Sequence, residues 1–274
     1  MRPSHEPDSV DQVLFIPINY NTERQTLHLV ESLAQQSCPS WHCLIVHNGG
    51  SSGSLEVGAL DEQFQLIKPA RNVGYFGGAR FAVDHWLGHH NRLPRWTVVC
   101  NADIRFNRLF VAGLRRATAD VLAPAIIASD GVDQNPYMIS RPRFHKTALR
   151  CMVLATPFVD GVARKVILSH PRPRGNIRVA GEIYAPYGAA IVFNRSYFDK
   201  GGSLEHPGFL FGEEITIGER CQAIGAAVRY EPSLRAFHEE HTSTGGAERS
   251  RQLLRMQRSS VRDSTRSLLM PPRS

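Results

Sequence analysis

The sequence lacks the features that identify several common classes of protein. Its five cysteines are scattered, odd in number and without Cys-x-x-Cys spacing, which argues against a disulfide framework or a zinc site and favours a reducing cytoplasm. No apolar run approaches the roughly 20 residues that a membrane-spanning helix needs. Segment 1–11 is polar and holds two prolines, so we expect a flexible tail there and no signal peptide.

Charge of one sign predominates. The chain has 32 lysine and arginine residues against 25 aspartate and glutamate residues, a net charge of +7. This excess favours an acidic partner such as a nucleotide or an anionic lipid. The sequence argues against nucleic acid as a partner, because the basic residues have neither interleaved aromatic residues nor a recognised binding motif.

Short apolar runs alternate with helical patterns along most of the chain. This order is typical of an α/β protein with a mostly parallel central sheet. The predicted strands cover residues 13–18, 43–46, 65–67, 97–100, 121–124, 187–193 and 227–230. The pattern weakens over residues 125–179, which we interpret as an irregular insertion with a basic face. That face is either a solvated surface or a site for an anionic acceptor.

One strand ends in two polar residues separated by a small one. Residues 97–100 form a buried strand that continues into Asn101, Ala102 and Asp103. At the carboxyl end of a parallel strand, Asp103 would enter the crevice where such sheets bind ligands. A carboxylate there suits a hard divalent cation. The alternative is that the three residues only turn the chain.

Three further segments have both a functional and a structural interpretation. The glycine-rich stretch 72–80 precedes a helix, so its backbone amides could bind an anion, or it could be a simple turn. Glu213 and Glu214 begin a later helix, where acidic residues are also favoured by the helix dipole. The segment 246–274 is predicted to be a basic amphipathic helix and tail, either docked on the domain or lying on an anionic membrane.

The order of these motifs resembles family 2 of the glycosyltransferases, the inverting nucleotide-sugar enzymes with the GT-A fold. The closest likeness is to bacterial rhamnosyltransferase-like members. It extends from Val13 to about Gly245 and is poor over residues 125–179. The resemblance implies a Rossmann-like nucleotide-binding sandwich, with one GT-A domain over residues 12–245.

The resemblance also implies roles for individual residues. Glu214 matches the catalytic base, with Glu213 as the fallback, and Asp103 and His238 match ligands of Mn²⁺ or Mg²⁺. The residues implied to bind the nucleotide sugar are Pro17, Asn19, Tyr20, Asn21, His47, Asn48, Asn72, Gly74, Gly77, Gly78, Arg80, Asn101 and Ala102.

The implied reaction is transfer of a hexose, or a deoxyhexose such as rhamnose, from a nucleoside-diphosphate sugar of the UDP, dTDP or GDP type. The implied acceptor is a glycan or lipid-linked hydroxyl in bacterial cell-surface polysaccharide synthesis, at the inner face of the membrane. Two residues depart from the family pattern: His47 replaces an acid, and Thr216 stands where relatives often have aspartate. These departures motivate the alternative of a catalytically silent nucleotide-sugar binding protein.

Overall fold

The computed structural model describes residues 12–49, 62–142, 179–210 and 212–239. Three predictions lie outside these residues: the tail 1–11, the basic residues of the insertion from Arg143 to Arg178, and the helix and tail 246–274. They stay predictions.

The described residues form nine strands and five helices. The strands are β1 (Val13–Asn19), β2 (Trp41–His47), β3 (Phe64–Ile67), β4 (Trp96–Asn101), β5 (Ile104–Phe106), β6 (Val121–Ala128), β7 (Gly181–Glu182), β8 (Ala190–Asn194) and β9 (Val228–His238). The helices are α1 (Glu23–Ala34), α2 (Tyr75–Leu87), α3 (Phe110–Leu114), α4 (Arg195–Asp199) and α5 (Glu213–Ala223).

All nine strands belong to one sheet, in the order β3-β2-β1-β4-β8-β6-β9-β5, with β7 paired to β9. The α/β class is therefore confirmed. The sheet is mixed, because β1–β2, β1–β4, β2–β3 and β6–β9 are parallel while the other four pairs are antiparallel. Strand β8 lies between β4 and β6 and runs against both of them.

Two strands extend well beyond their predicted carboxyl ends. Strand β6 continues to Ala128 and β9 to His238, so residues 125–128 belong to the sheet and not to the irregular insertion. Both predicted strands end at or close to a proline, because proline cannot donate a hydrogen bond to a neighbouring strand. The parallel β6–β9 pair tolerates the interruption through a register shift between Pro124 and Ala125.

The sheet is covered on both faces, which explains its continuous apolar strands. Alternate residues of β1 show this: Phe15 packs with α1 and α3, whereas Leu14 and Ile16 pack with α2, α4 and α5. Pro17 is also buried, and its strand is interior to the sheet and not an edge strand. No helix within the described ranges has the length and apolar character needed to cross a membrane.

Candidate active site

Polar residues end three neighbouring parallel strands. Asn19, His47 and Asn101 are the last residues of β1, β2 and β4, and the carboxyl ends of these strands share one edge of the sheet, where open α/β sheets bind ligands. Asn19 and His47 are buried. Among the described residues, Asn19 Nδ2 and His47 Nδ1 have no hydrogen-bond partner. Buried polar atoms of this kind are normally paired, so a ligand is a physical explanation for them.

Asp103 and His238 are brought together by the sheet. Asp103 lies in the tight turn between β4 and β5, so the predicted turn is correct and also presents a carboxylate. Strand β5 pairs with β9 so that Ile104 lies opposite His238, and Glu239 N–H donates to the Asp103 carbonyl oxygen. As a result, His238 Nε2 lies 3.2 Å from Asp103 Oδ1.

This pair fits a divalent cation. The 3.2 Å contact does not have hydrogen-bond geometry, and Asp103 Oδ1 is buried with no hydrogen bond to any described residue. Two ligand atoms at right angles on a cation about 2.1 Å away are about 3.0 Å apart, close to the observed separation. The described part of the chain contains no group of three or more His, Cys, Asp or Glu residues that could hold a metal. Mg²⁺ commonly has one or two protein ligands, with substrate phosphates and water completing its shell.

Glu214 lies in the first turn of α5, and its carboxylate points to the start of β8. Gly188 N–H donates to Glu214 Oε1 over 3.3 Å, and the Gly188 carbonyl accepts a hydrogen bond of 2.7 Å from the Tyr75 hydroxyl. Burial raises the pKa of Glu214, although hydrogen bonds from its own N–H and from those of Gly188 and Gly212 lower it. A carboxylate with a raised pKa is a stronger base than an exposed glutamate.

The segment 187–189 connects the Glu214 side of the crevice to the Asp103 side. Asn101 N–H donates to the Ala189 carbonyl over 2.9 Å, next to the glycine that binds Glu214. On the other side of that glycine, the ring of Tyr187 lies 6.3 Å from that of His238, centroid to centroid. The two proposed halves of the site therefore share one three-residue segment.

Tyr75 provides a second link between the acidic residues. Burial is the main cause that raises the pKa of its hydroxyl, and the charges on Glu213, Glu214 and Asp103 raise it further. All three carboxylates therefore lie near the same phenol, at the amino end of α2. The sequence motif 72–80 contained Tyr75, but nothing in its spacing identified the hydroxyl as a contact.

Asn48 and Asn72 hold the turn before α2. Asn48 Nδ2 donates to the Gly74 carbonyl over 2.7 Å, and Asn48 Oδ1 accepts from Val73 N–H over 3.0 Å. Asn72 Oδ1 accepts from Gly74 N–H over 3.0 Å. Gly74 has φ +79°, and a Cβ there would meet the Phe209 carbonyl at 2.1 Å, so only glycine fits. The Asn48 amide thus holds the turn through the backbone, and its contact with the nucleotide sugar stays a prediction.

The glycine-rich loop is shorter than predicted. Helix α2 begins at Tyr75, so Gly77 and Gly78 lie in its first turn and not in a loop. A Cβ on Gly78 would lie 3.2 Å from a side chain of β1, which shows that this glycine allows the helix to pack closely on the sheet. Arg80 is exposed and its guanidinium lies 3.4 Å from Glu205; its contact with the nucleotide sugar stays a prediction.

The other predicted binding residues differ in accessibility. Tyr20 is 45% exposed beside the end of β1, and Asn21 has φ +56°, a left-handed conformation that asparagine tolerates. Both therefore remain predicted ligand contacts. Pro17 and Ala102 are buried, so their side chains contribute to packing, and their predicted contacts with the nucleotide sugar stay predictions.

One arginine of the predicted basic face has a different role. Arg141 binds Glu219 on α5 through two hydrogen bonds of 2.7 and 2.6 Å, and the Tyr184 hydroxyl donates to the same carboxylate over 2.8 Å. The Glu219 side chain is 2% exposed. Arg141 therefore anchors the helix that carries Glu214.

Comparisons with known proteins find no similarity in sequence but a clear similarity in fold. No protein-family profile matches the sequence, and neither does any curated protein. A structure of GalNAc-T7 with UDP, GalNAc and Mn²⁺ matches over 85% of this chain and 44% of its own, with 12% identity and a TM-score of 0.56. S. aureus TarS residues 1–349 with UDP-GlcNAc matches over 87% of this chain and 60% of its own, with 13% identity and a TM-score of 0.55.

A third similar structure is the mannosyltransferase PcManGT from Pyrobaculum calidifontis with GDP-Man and Mn²⁺. It matches over 96% of this chain and 65% of its own, with 12% identity and a TM-score of 0.52. The chain thus spans 44–65% of the length of these three proteins. The protein has the GT-A-type glycosyltransferase fold that its motifs resemble; identities of 12–13% establish the fold alone.

Proposed function

We propose that the protein is an inverting, metal-dependent glycosyltransferase that uses a nucleoside-diphosphate sugar. The observation that carries this proposal is the placement of Glu214 and the Asp103–His238 pair around the single segment 187–189. Asp103 is suited to hold a cation beside a leaving diphosphate. Glu214 is suited to take a proton from an acceptor hydroxyl on the opposite side of the sugar.

The chemistry assigns each acid a distinct task. As the hydroxyl of the acceptor attacks the anomeric carbon, Glu214 accepts its proton, so that the carbon is inverted in a single displacement. Asp103 and His238 would hold the divalent cation, which would supply Lewis-acid stabilisation of the negative charge on the departing diphosphate. The hydrogen bond from Gly188 N–H orients the Glu214 carboxylate, and burial raises its pKa, which favours its role as a base.

The donor is a UDP, dTDP or GDP sugar, with a hexose or a deoxyhexose such as rhamnose as the transferred group. The similar structures were determined with UDP-GlcNAc and GDP-Man, which supports this class of donor. The unpartnered nitrogens of Asn19 and His47 are the proposed contacts to the nucleotide. The acceptor is a glycan or lipid-linked hydroxyl at the cytoplasmic face of a bacterial membrane, as the motif resemblance implies.

The test is a thermal-shift screen of UDP, dTDP and GDP sugars with and without Mn²⁺, followed by transfer assays with the donor that binds. A ligand that binds the folded state raises its melting temperature. Glu214→Gln should lower kcat by about 10²–10⁴ with the donor Kd unchanged, whereas the exposed Glu205→Gln control should retain activity. Asp103→Ala should abolish the effect of Mn²⁺ on donor binding. Donor binding without transfer would instead identify a silent binding protein.

A further inference from the structure

Gln134 is a buried glutamine directly behind the proposed metal pair. It is 7% exposed, and its Oε1 lies 2.8 Å from His238 Nδ1. A carboxamide oxygen can only accept a hydrogen bond. Nδ1 of the imidazole therefore carries the proton, and in the neutral ring Nε2 carries the lone pair that faces Asp103.

This tautomer makes the Asp103–His238 contact repulsive unless something positive lies between the two atoms. Nε2 with a lone pair and the carboxylate oxygen Oδ1 are both acceptors, 3.2 Å apart. A cation or a proton relieves the repulsion. Without the contact from Gln134, the carboxylate would favour a proton on Nε2, which blocks the nitrogen as a metal ligand.

Gln134 is itself held firmly in place. Its backbone N–H donates to the Ile126 carbonyl over 2.8 Å. The preceding Asp133 accepts from Ile126 N–H and from Asn135 N–H, both over 2.9 Å, and Asn135 binds Tyr187 N–H over 2.9 Å. Three consecutive residues thus connect β6 to the segment that carries the site, so that the amide of Gln134 is preorganised against His238.

We propose that Gln134 is a positioning residue that selects the metal-binding tautomer of His238. The inference rests on the proposed function, since it concerns the cation that this function requires. Histidine ligands commonly donate their second ring N–H to a fixed acceptor, and losing that acceptor weakens metal binding about 10–100-fold. Gln134 lies in the predicted irregular insertion, where the sequence pattern singles out no residue.

The first test measures Mn²⁺ affinity of the full chain by electron paramagnetic resonance, without donor. Gln134→Leu should raise the Kd about 10–100-fold, and Gln134→Glu, which keeps an acceptor, should restore most of the affinity. Gln36→Leu is the matched control, because Gln36 also makes side-chain hydrogen bonds, to Asn107 and Val111, on the α1 side of the sheet. Equal affinity in wild type and Gln134→Leu would overturn the proposal.

The second test needs neither metal nor activity. Long-range ¹H–¹⁵N spectra of the metal-free wild type at pH 8, where histidines are mostly neutral, should show the proton of His238 on Nδ1. In Gln134→Leu it should move to Nε2. If Nδ1 of His238 in the wild type carries no proton, the role of Gln134 is refuted even if Mn²⁺ binds. If Mn²⁺ does not bind to the wild type while Nδ1 is protonated, the metal dependence fails and the positioning role stands.

Discussion

Adding one methyl group at Gly188 should displace the proposed catalytic base while leaving the fold intact. A Cβ at this position would lie 2.9 Å from Glu214 Oε1 and 3.5 Å from its Cδ. The backbone of Gly188 is not in the left-handed region, so alanine introduces no strain there. The only atoms in the way belong to the end of a flexible side chain, which can rotate out of contact.

The expected consequence is a large loss of rate with a small loss of stability. Relieving the 2.9 Å contact requires the carboxylate to move by at least several tenths of an ångström, and a displacement of about 1 Å from productive geometry costs about 10²-fold in rate. We therefore expect Gly188→Ala to reduce kcat by about 10–100-fold. Donor affinity should be unchanged, because Asp103 and His238 keep their contacts.

The pH dependence should change in a defined direction. Glu214 acts as a base only when ionised, so kcat rises with pH through its pKa, which burial already raises above the ordinary value. The Gly188 N–H lowers that pKa through its hydrogen bond. When the carboxylate moves away and the hydrogen bond is lost, the pKa rises further. The acid limb of the kcat profile should then move to higher pH.

The assay is steady-state transfer from pH 5 to 9, with donor Kd measured by calorimetry. Gly181→Ala is the matched control, because a Cβ there would have nothing within 4 Å. A Gly188→Ala enzyme with unchanged kcat and an unshifted acid limb would contradict the placement of Glu214 as the base. If Gly188→Ala instead weakens donor binding and leaves kcat unchanged, Gly188 belongs to the donor site.

Two further predictions concern the scaffold of the site, and both are measured by denaturant unfolding. Asn48→Ala removes two hydrogen bonds to the turn before α2 and should lower the free energy of unfolding by about 2–4 kcal/mol. An unchanged denaturation midpoint would show that the turn does not depend on the Asn48 side chain. Arg141→Ala leaves the buried Glu219 carboxylate with Tyr184 as a partner and should cost about 2–3 kcal/mol, less than a fully buried pair because Arg141 is half exposed. The double variant Arg141→Ala, Glu219→Gln should recover part of that loss.

Local patterns in the chain predicted much of the fold. Continuous apolar runs predicted the buried strands β1, β2 and β4, because a sheet covered on both faces requires apolar residues at every position. The polar residues that follow these runs predicted the edge at which Asp103 emerges. The motif order predicted the GT-A-type fold, which the similar structures confirm.

The errors have a common physical origin. The extensions of β6 and β9 were missed because prolines interrupt the local pattern, while pairing across the sheet and a register shift maintain the strands. The donor contacts of Gly77 and Gly78, which the motif resemblance implies, stay predictions. In the folded protein, Gly78 is approached by the sheet and Asn48 by the backbone of a turn.

The sequence by itself determined which residues have the chemistry for the proposed reaction and that parallel strands carry Asn19, His47 and Asn101 to one edge. Only the tertiary structure decided that Asp103 meets His238, that Glu214 binds Gly188, and that Gln134 lies behind the histidine. The reason is that periodicity and propensity are properties of neighbouring residues. These contacts join positions separated by 26 to 135 residues, and only the packing of strands, helices and connecting segments in the folded chain determines which of them meet.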